Sequence, residues 1–115
     1  MTVTILHNPR CSKSRATLAL LQERGIDPQI TLYLDSPPDA KELRSILKKL
    51  GMKPRELLRR GEAEYHALGL ENTGLSDDEL IHAMVTHPRL IERPIVLANH
   101  KAAIGRPPQA VLEIL

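Results

Sequence analysis

The feature that most constrains this chain is its opening stretch, which reads as strand, helix, strand. Val3-Thr4-Ile5-Leu6 is short, apolar and β-branched, the pattern of a strand. His7-Asn8-Pro9-Arg10 breaks it. From Cys11 a run rich in Ala and Leu predicts a helix to about Arg24, with Gly25 as its stop. Ile30, Leu32 and Leu34 then alternate with Gln29, Thr31 and Tyr33, which predicts a second strand with one apolar face. Strands joined by a crossover helix are usually parallel and right-handed, so this segment commits the chain to an α/β architecture.

The middle of the chain reads as helices. Asp39 is placed to cap a helix, with Glu42 three residues on. Leu43, Ile46, Leu47 and Leu50 form one stripe along it, and Gly51 ends it. Pro54 opens a shorter helix carrying Leu57, Leu58 and Arg59. Another short helix is expected from Glu62 to Leu68, closed by Gly69. Ser76-Asp77-Asp78-Glu79 is a capping-box pattern, followed by Leu80, Ile81, Met84 and Val85 on one face and ended by His87-Pro88. Strand character returns in Pro94-Ile95-Val96-Leu97-Ala98, a continuous apolar run expected to be covered on both faces. Asn99-His100-Lys101 turns the chain back through Ala102 to Ile104. After the Gly105-Arg106-Pro107-Pro108 break, Gln109 to Leu115 forms a terminal helix or half-helix. The expected fold is a mixed α/β sheet in a single domain, residues 1–115, with a helical insertion at about 39–90.

Composition removes several functional classes. The only aromatic side chains are Tyr33 and Tyr65, so the core must be aliphatic and there is no set of aromatics on which single-stranded bases could stack. The net charge of +2 is too small to mark a nucleic-acid or membrane binder. No apolar run approaches the roughly 20 residues that span a bilayer, and Met1 to Arg10 lacks the pattern of a signal peptide. One cysteine allows no internal disulfide, which fits a reducing, cytoplasmic setting. His7, His66, His82, His87 and His100 show no metal-ligand spacing, so no metal is expected.

The candidate for chemistry is that cysteine. Cys11 falls where the first strand gives way to the first helix, and unpaired N–H groups and the helix dipole favour negative charge there. Arg10, Lys13 and Arg15 add positive charge nearby. A cysteine at a helix start among cations has the setting of a nucleophilic thiolate, and the same N–H groups can cradle an oxyanion. At such a break the side chain is expected to be exposed; the competing reading is a small buried hydrophobe. Ser14 completes Cys-x-x-Ser, which has no second thiol to resolve a mixed disulfide, so an external thiol must do so, glutathione being the obvious one. Ser12 or Ser14 could bond the thiolate or the anion, or cap the first turn. A tyrosine-phosphatase loop needs a longer spacing than the Cys-x3-Arg that Arg15 provides. His7, at the end of a strand, reads as a partly exposed loop histidine.

The segment His7-Asn8-Pro9-Arg10-Cys11-Ser12-Lys13-Ser14-Arg15 resembles the active-site loop of the glutaredoxin-coupled arsenate reductases. The resemblance runs through Tyr33-Leu34-Asp35-Ser36-Pro37-Pro38, Leu57-Leu58-Arg59, Glu92-Arg93-Pro94-Ile95-Val96, Gly105-Arg106-Pro107 and Val111-Leu112-Glu113-Ile114-Leu115, and so spans the chain. It implies a thioredoxin-like (glutaredoxin-like) fold with a helical insertion. It implies that Cys11 attacks arsenate as a thiolate, that glutathione adds to the arsenic as co-substrate, and that glutaredoxin reduces the adduct, with no bound cofactor. It implies that Arg59, Arg93 and Arg106 hold the oxyanion, that His7 and Asn8 tune or position the loop with Ser14 and Arg15 in support, and that the Arg93–Pro94 bond is cis. Ser12-Lys13-Ser14 stands where the best-studied reductases carry Gly-Thr-Ser, which resembles a subgroup of the family.

Two other functions fit parts of the pattern. A monothiol thiol–disulfide oxidoreductase would use Cys-x-x-Ser but leave the arginines without a purpose. The Spx-type regulators, which grip RNA polymerase, share the implied fold; they typically carry Cys-x-x-Cys and generally lack an arginine like Arg106.

Overall fold

The structure is a computed structural model that describes residues 2–115. The chain divides into two compact units. One comprises residues up to Ser36 together with Arg93–Leu115; the other is the continuous stretch Pro37–Glu92.

The first unit holds the sheet. Its strands are β1 (Thr4–Leu6), β2 (Gln29–Thr31), β3 (Ile95–Ala98) and β4 (Lys101–Ile104), in the order β2-β1-β3-β4. β1 and β2 are parallel, with Ile5 opposite Ile30. The connection between them is helix α1, Ser12–Glu23. β3 runs antiparallel to both β1 and β4. The sheet is therefore mixed, as the opening strand–helix–strand and the closing hairpin require.

Its core is aliphatic. Val3 and Ile5 from β1, Leu21 from α1, Val96 and Ala98 from β3, and Val111 and Ile114 from the C-terminal segment form one buried cluster. Each Val, Leu or Ile side chain among them, fully buried, contributes about 1.5–3 kcal/mol. The C-terminal segment is a 3₁₀-helix, Pro108–Ile114, in place of the helix or half-helix expected there. Pro107 and Pro108 remove the N–H groups at its start. The turn between β3 and β4 puts both Asn99 and His100 at positive φ, 53° and 62°, the hairpin geometry whose twist matches the flanking strands. Asn99 Nδ2 donates to the Ile114 carbonyl at 2.9 Å, pinning the C-terminal segment to the hairpin.

The second predicted strand is corrected. β2 is only Gln29–Thr31, because the chain then turns: Asp35 and Ser36 N–H both donate to the Leu32 carbonyl at 3.0 Å. The alternation of Ile30, Leu32 and Leu34 does not mark a buried face. All three are exposed, while Tyr33 between them is 1% exposed. An edge strand with one neighbour leaves such side chains uncovered.

The second unit is helical. α2 (Ala40–Leu50) starts at Asp39, whose side chain accepts the Glu42 N–H, buries Leu43, Ile46 and Leu47, and ends at Gly51 with φ +67°. α3 is Pro54–Leu57, shorter than expected: Leu58 leaves the helix to form a bridge with Ile91, and Arg59 follows it. α4 is Ala63–Ala67. α5 (Asp77–Thr86) carries the capping box of Ser76 and Glu79 and buries Leu80, Ile81, Ala83 and Met84. A short 3₁₀ turn, Pro88–Leu90, closes the unit. Among the described residues no helix is long and apolar enough to cross a membrane.

Candidate active site

The site is built at the head of α1. Cys11 is the N-cap residue, with extended backbone, and its side chain makes no capping hydrogen bond, so the sulfur is not spent on the helix. The first N–H groups of the helix have no acceptor within it. The preceding loop is folded by Asn8. Its carbonyl accepts the Cys11 N–H at 3.0 Å and its side-chain oxygen accepts the Arg10 N–H at 3.0 Å. Arg15 reaches back along the helix and donates to the Pro9 carbonyl at 3.0 Å. Asn8 and Arg15 thus hold the loop's shape.

Cys11 is more covered than the sequence led us to expect, at 8% exposed. The cover is not purely aliphatic. Arg106 Nη2 lies 3.7 Å from Cys11 Sγ. The same guanidinium donates through Nε to the Arg93 carbonyl at 2.8 Å. Arg106 is therefore a two-point brace between the thiol and the segment entering β3. Arg93 precedes the cis bond to Pro94, and a second cis bond joins Arg106 to Pro107. The first unit thus brings Cys11, Arg93 and Arg106 together from distant parts of the chain.

His7 and Ser14 form the floor of the loop. His7, read from sequence as partly exposed, is buried at 6%, and Ser14 is fully buried. β1 draws the histidine in, since its N–H donates to the Thr31 carbonyl at 2.9 Å as a further rung between β1 and β2. His7 Nδ1 and Ser14 Oγ are 2.6 Å apart, and Asn8 N–H donates to the same oxygen at 3.0 Å. Burial and, second, the Arg15 charge lower the His7 pKa below its ordinary 6.5. A neutral ring protonated on Nε2 leaves Nδ1 to accept the Ser14 hydroxyl, which satisfies all three groups. Ser14 therefore bonds His7 and Asn8, and it is the loop that it organises.

Arg59 belongs to the second unit. Its N–H donates to the Leu90 carbonyl at 2.8 Å, and its guanidinium pairs with Glu62 and, at 3.8 Å, with Glu92. Arg89 joins the same cluster through Glu62 at 3.4 Å. Glu62 lies three residues on, whereas Arg89, Leu90 and Glu92 come from a second, distant segment that no local motif announces. The sequence reading likewise has no signal for the Arg93 main-chain carbonyl as an acceptor. Side-chain chemistry is what a sequence displays.

A thiol at the start of a helix, braced by a guanidinium, can attack an electron-poor centre that carries negative oxygens. The comparisons agree with that chemistry. The family model for the ArsC family matches residues 6–114, and the chain belongs to that family. It is 58% identical to the uncharacterized protein YfgD of Escherichia coli (strain K12), covering 98% of this chain and 96% of that one. It is 53% identical to an arsenate reductase of Haemophilus influenzae (strain ATCC 51907 / DSM 11121 / KW20 / Rd) over the full length of both. Its fold superposes on the solved structure of an arsenate reductase from Vibrio cholerae with a TM-score of 0.97, at 52% identity over 100% of this chain and 98% of that one. The fold is the thioredoxin-like one of this family.

Proposed function

We propose that this protein reduces arsenate to arsenite with Cys11 as the nucleophile. The observation that carries the reading is the Arg106 guanidinium 3.7 Å from the sulfur of the sole cysteine, at the head of α1 in an ArsC-family chain. Arsenate is an anion and so is the attacking thiolate. A cation at about 4 Å supplies on the order of 4 kcal/mol at an effective dielectric near 20, before desolvation, which offsets much of that repulsion. Arg93 and the N–H groups opening α1 are the further oxyanion donors.

The steps balance as follows. The Cys11 thiolate attacks arsenic and an oxygen leaves as water. Glutathione adds through its sulfur and a second oxygen leaves as water. A glutaredoxin thiolate then attacks the glutathione sulfur. The sulfur–arsenic bond breaks with its electron pair staying on arsenic, which takes arsenic from the pentavalent to the trivalent state. Water releases arsenite and returns Cys11 as a thiol. Two thiols supply the two electrons, so no resident cofactor is called for. The lone thiol of the chain, Cys11, leaves resolution to these external partners, and the glutathione and glutaredoxin pool of the cytoplasm provides them. Ser12-Lys13-Ser14 puts the chain in the subgroup with that loop. Simple disulfide exchange by a monothiol oxidoreductase has no use for Arg106 at the sulfur.

The test is a coupled assay with arsenate, glutathione, glutaredoxin and NADPH. Arsenate-dependent NADPH oxidation that disappears with Cys11→Ser is the expected result. No such oxidation at millimolar arsenate removes the assignment.

A further inference from the structure

Arg106 can brace the sulfur only if the end of the β3–β4 hairpin comes very close to α1, and one residue pair sets how close. Gly105 is buried, and its N–H donates to the Pro94 carbonyl at 2.9 Å, one rung beyond the Ile95–Ile104 pair. Arg106 follows at once, its N–H turned onto the Ile104 carbonyl at 2.9 Å. A methyl group on Gly105 would overlap Thr17 Oγ1, lie 2.8 Å from Pro94 Cγ and lie 3.2 Å from Thr17 Cβ. Thr17 cannot yield. It is fully buried on α1, and its hydroxyl is tied to the Lys13 carbonyl at 2.8 Å. Any side chain at position 105 therefore lifts the hairpin end off the helix and carries Arg106 with it.

We propose that Gly105 and Thr17 are positioning residues that set the reach of Arg106 to the Cys11 sulfur. They close a ring. Cys11 opens α1, and Thr17 lies six residues along it, about 9 Å down the axis. Gly105 seats on Thr17, and Arg106 returns to Cys11. Gly105 and Thr17 act through the guanidinium. The overlap of a methyl group at position 105 with Thr17 Oγ1 is relieved only by a displacement of roughly an ångström, which takes the guanidinium out of hydrogen-bond reach of the sulfur. Gly105 is needed here for its missing Cβ.

This inference rests on the reading of Cys11 and Arg106 as the anion-handling pair, so its test uses no arsenate. The rates of Cys11 alkylation by iodoacetate and by iodoacetamide are measured for each variant. Both reagents react with the same thiolate, so their ratio cancels its population and reports the positive charge beside the sulfur. Arg106→Ala lowers the ratio about fivefold. Gly105→Ala lowers it comparably, and Gly105→Ala combined with Arg106→Ala goes no lower than Arg106→Ala alone, since one acts through the other. Thr17→Ala added to Gly105→Ala recovers part of the loss. A ratio in folded Gly105→Ala within twofold of the parent overturns the proposal where Arg106→Ala shows the full loss. Effects that multiply in the double variant overturn it too, because a merely structural role would add independently. If Gly105→Ala does not fold, Thr17→Val carries the test. Its methyl thickens the same contact and must lower the ratio in the same direction, and an unchanged ratio refutes the idea. If Arg106→Ala itself leaves the ratio unchanged, the pairing with Cys11 is what has failed. Absence of arsenate turnover alongside the expected ratios would instead remove the proposed substrate and keep the positioning.

Discussion

Replacing Arg106 by alanine is the sharpest perturbation of the site. It removes a cation 3.7 Å from Cys11 Sγ and a donor 2.8 Å from the Arg93 carbonyl. At that separation the Coulomb interaction with a thiolate or a bound oxyanion is about 4 kcal/mol for an effective dielectric near 20. Arg106 is exposed, so water screens part of this. A charge-assisted hydrogen bond contributes about 1.5–3 kcal/mol net. We take about 2–3 kcal/mol, which is roughly a 30- to 150-fold fall in kcat/KM for arsenate. The assay is arsenate-dependent NADPH oxidation coupled through glutaredoxin, beside a urea titration of the same variant. Stability should change by no more than about 0.5 kcal/mol, as for other exposed side chains. Arg106→Lys should fall between the two, because one ammonium lacks the fork that serves both acceptors. Arsenate reduction by Arg106→Ala within twofold of the parent would refute the reasoning, since the guanidinium would then stand beside the sulfur without acting on the reaction.

Three further outcomes are expected. Cys11→Ser abolishes arsenate turnover while far-UV circular dichroism stays that of the parent; residual turnover would point to another nucleophile. His7 is held below its ordinary 6.5 by burial and by Arg15, so as pH falls the unfolded chain takes up its proton first. Stability conferred by the neutral ring is full above about pH 6.5 and falls as pH drops below it, and His7→Gln, urea-titrated at about pH 7.5 and about pH 5, should show a weaker fall than the parent. Equal falls would show that another group sets the acid limb. Ser76→Ala removes the acceptor of the Glu79 N–H and should cost about 1 kcal/mol in urea unfolding with no change in turnover.

What the sequence displayed and what it concealed follow from the range of the forces involved. Helix starts and stops are local, so Asp39, Gly51, Ser76 and Gly25 could be read directly and stand where expected. The Cys11–α1 junction is local in the same sense. The face of a strand is decided by what packs on it. Ile30, Leu32 and Leu34 alternate as a half-buried strand would, yet edge position and the turn at Leu32 leave them in solvent. Burial of His7 depends on the rung it makes with Thr31 and on its Ser14 bond, neither of which has a residue signature. Arg106 was legible as a candidate through its Gly-Arg-Pro setting, whereas Thr17, an ordinary helix threonine in sequence, gains its part only from the approach of Gly105.

The brace at the sulfur joins residues separated by 95 positions. During synthesis Cys11 leaves the ribosome with the first strand and helix, and Arg106 follows only 95 residues later. Until the β3–β4 hairpin docks, a nascent chain therefore displays its thiol without the Arg106 guanidinium beside it, and the brace is acquired in one late step. A ribosome stalled before Gly105 would hold out a sulfur open to any oxidant and selective for none.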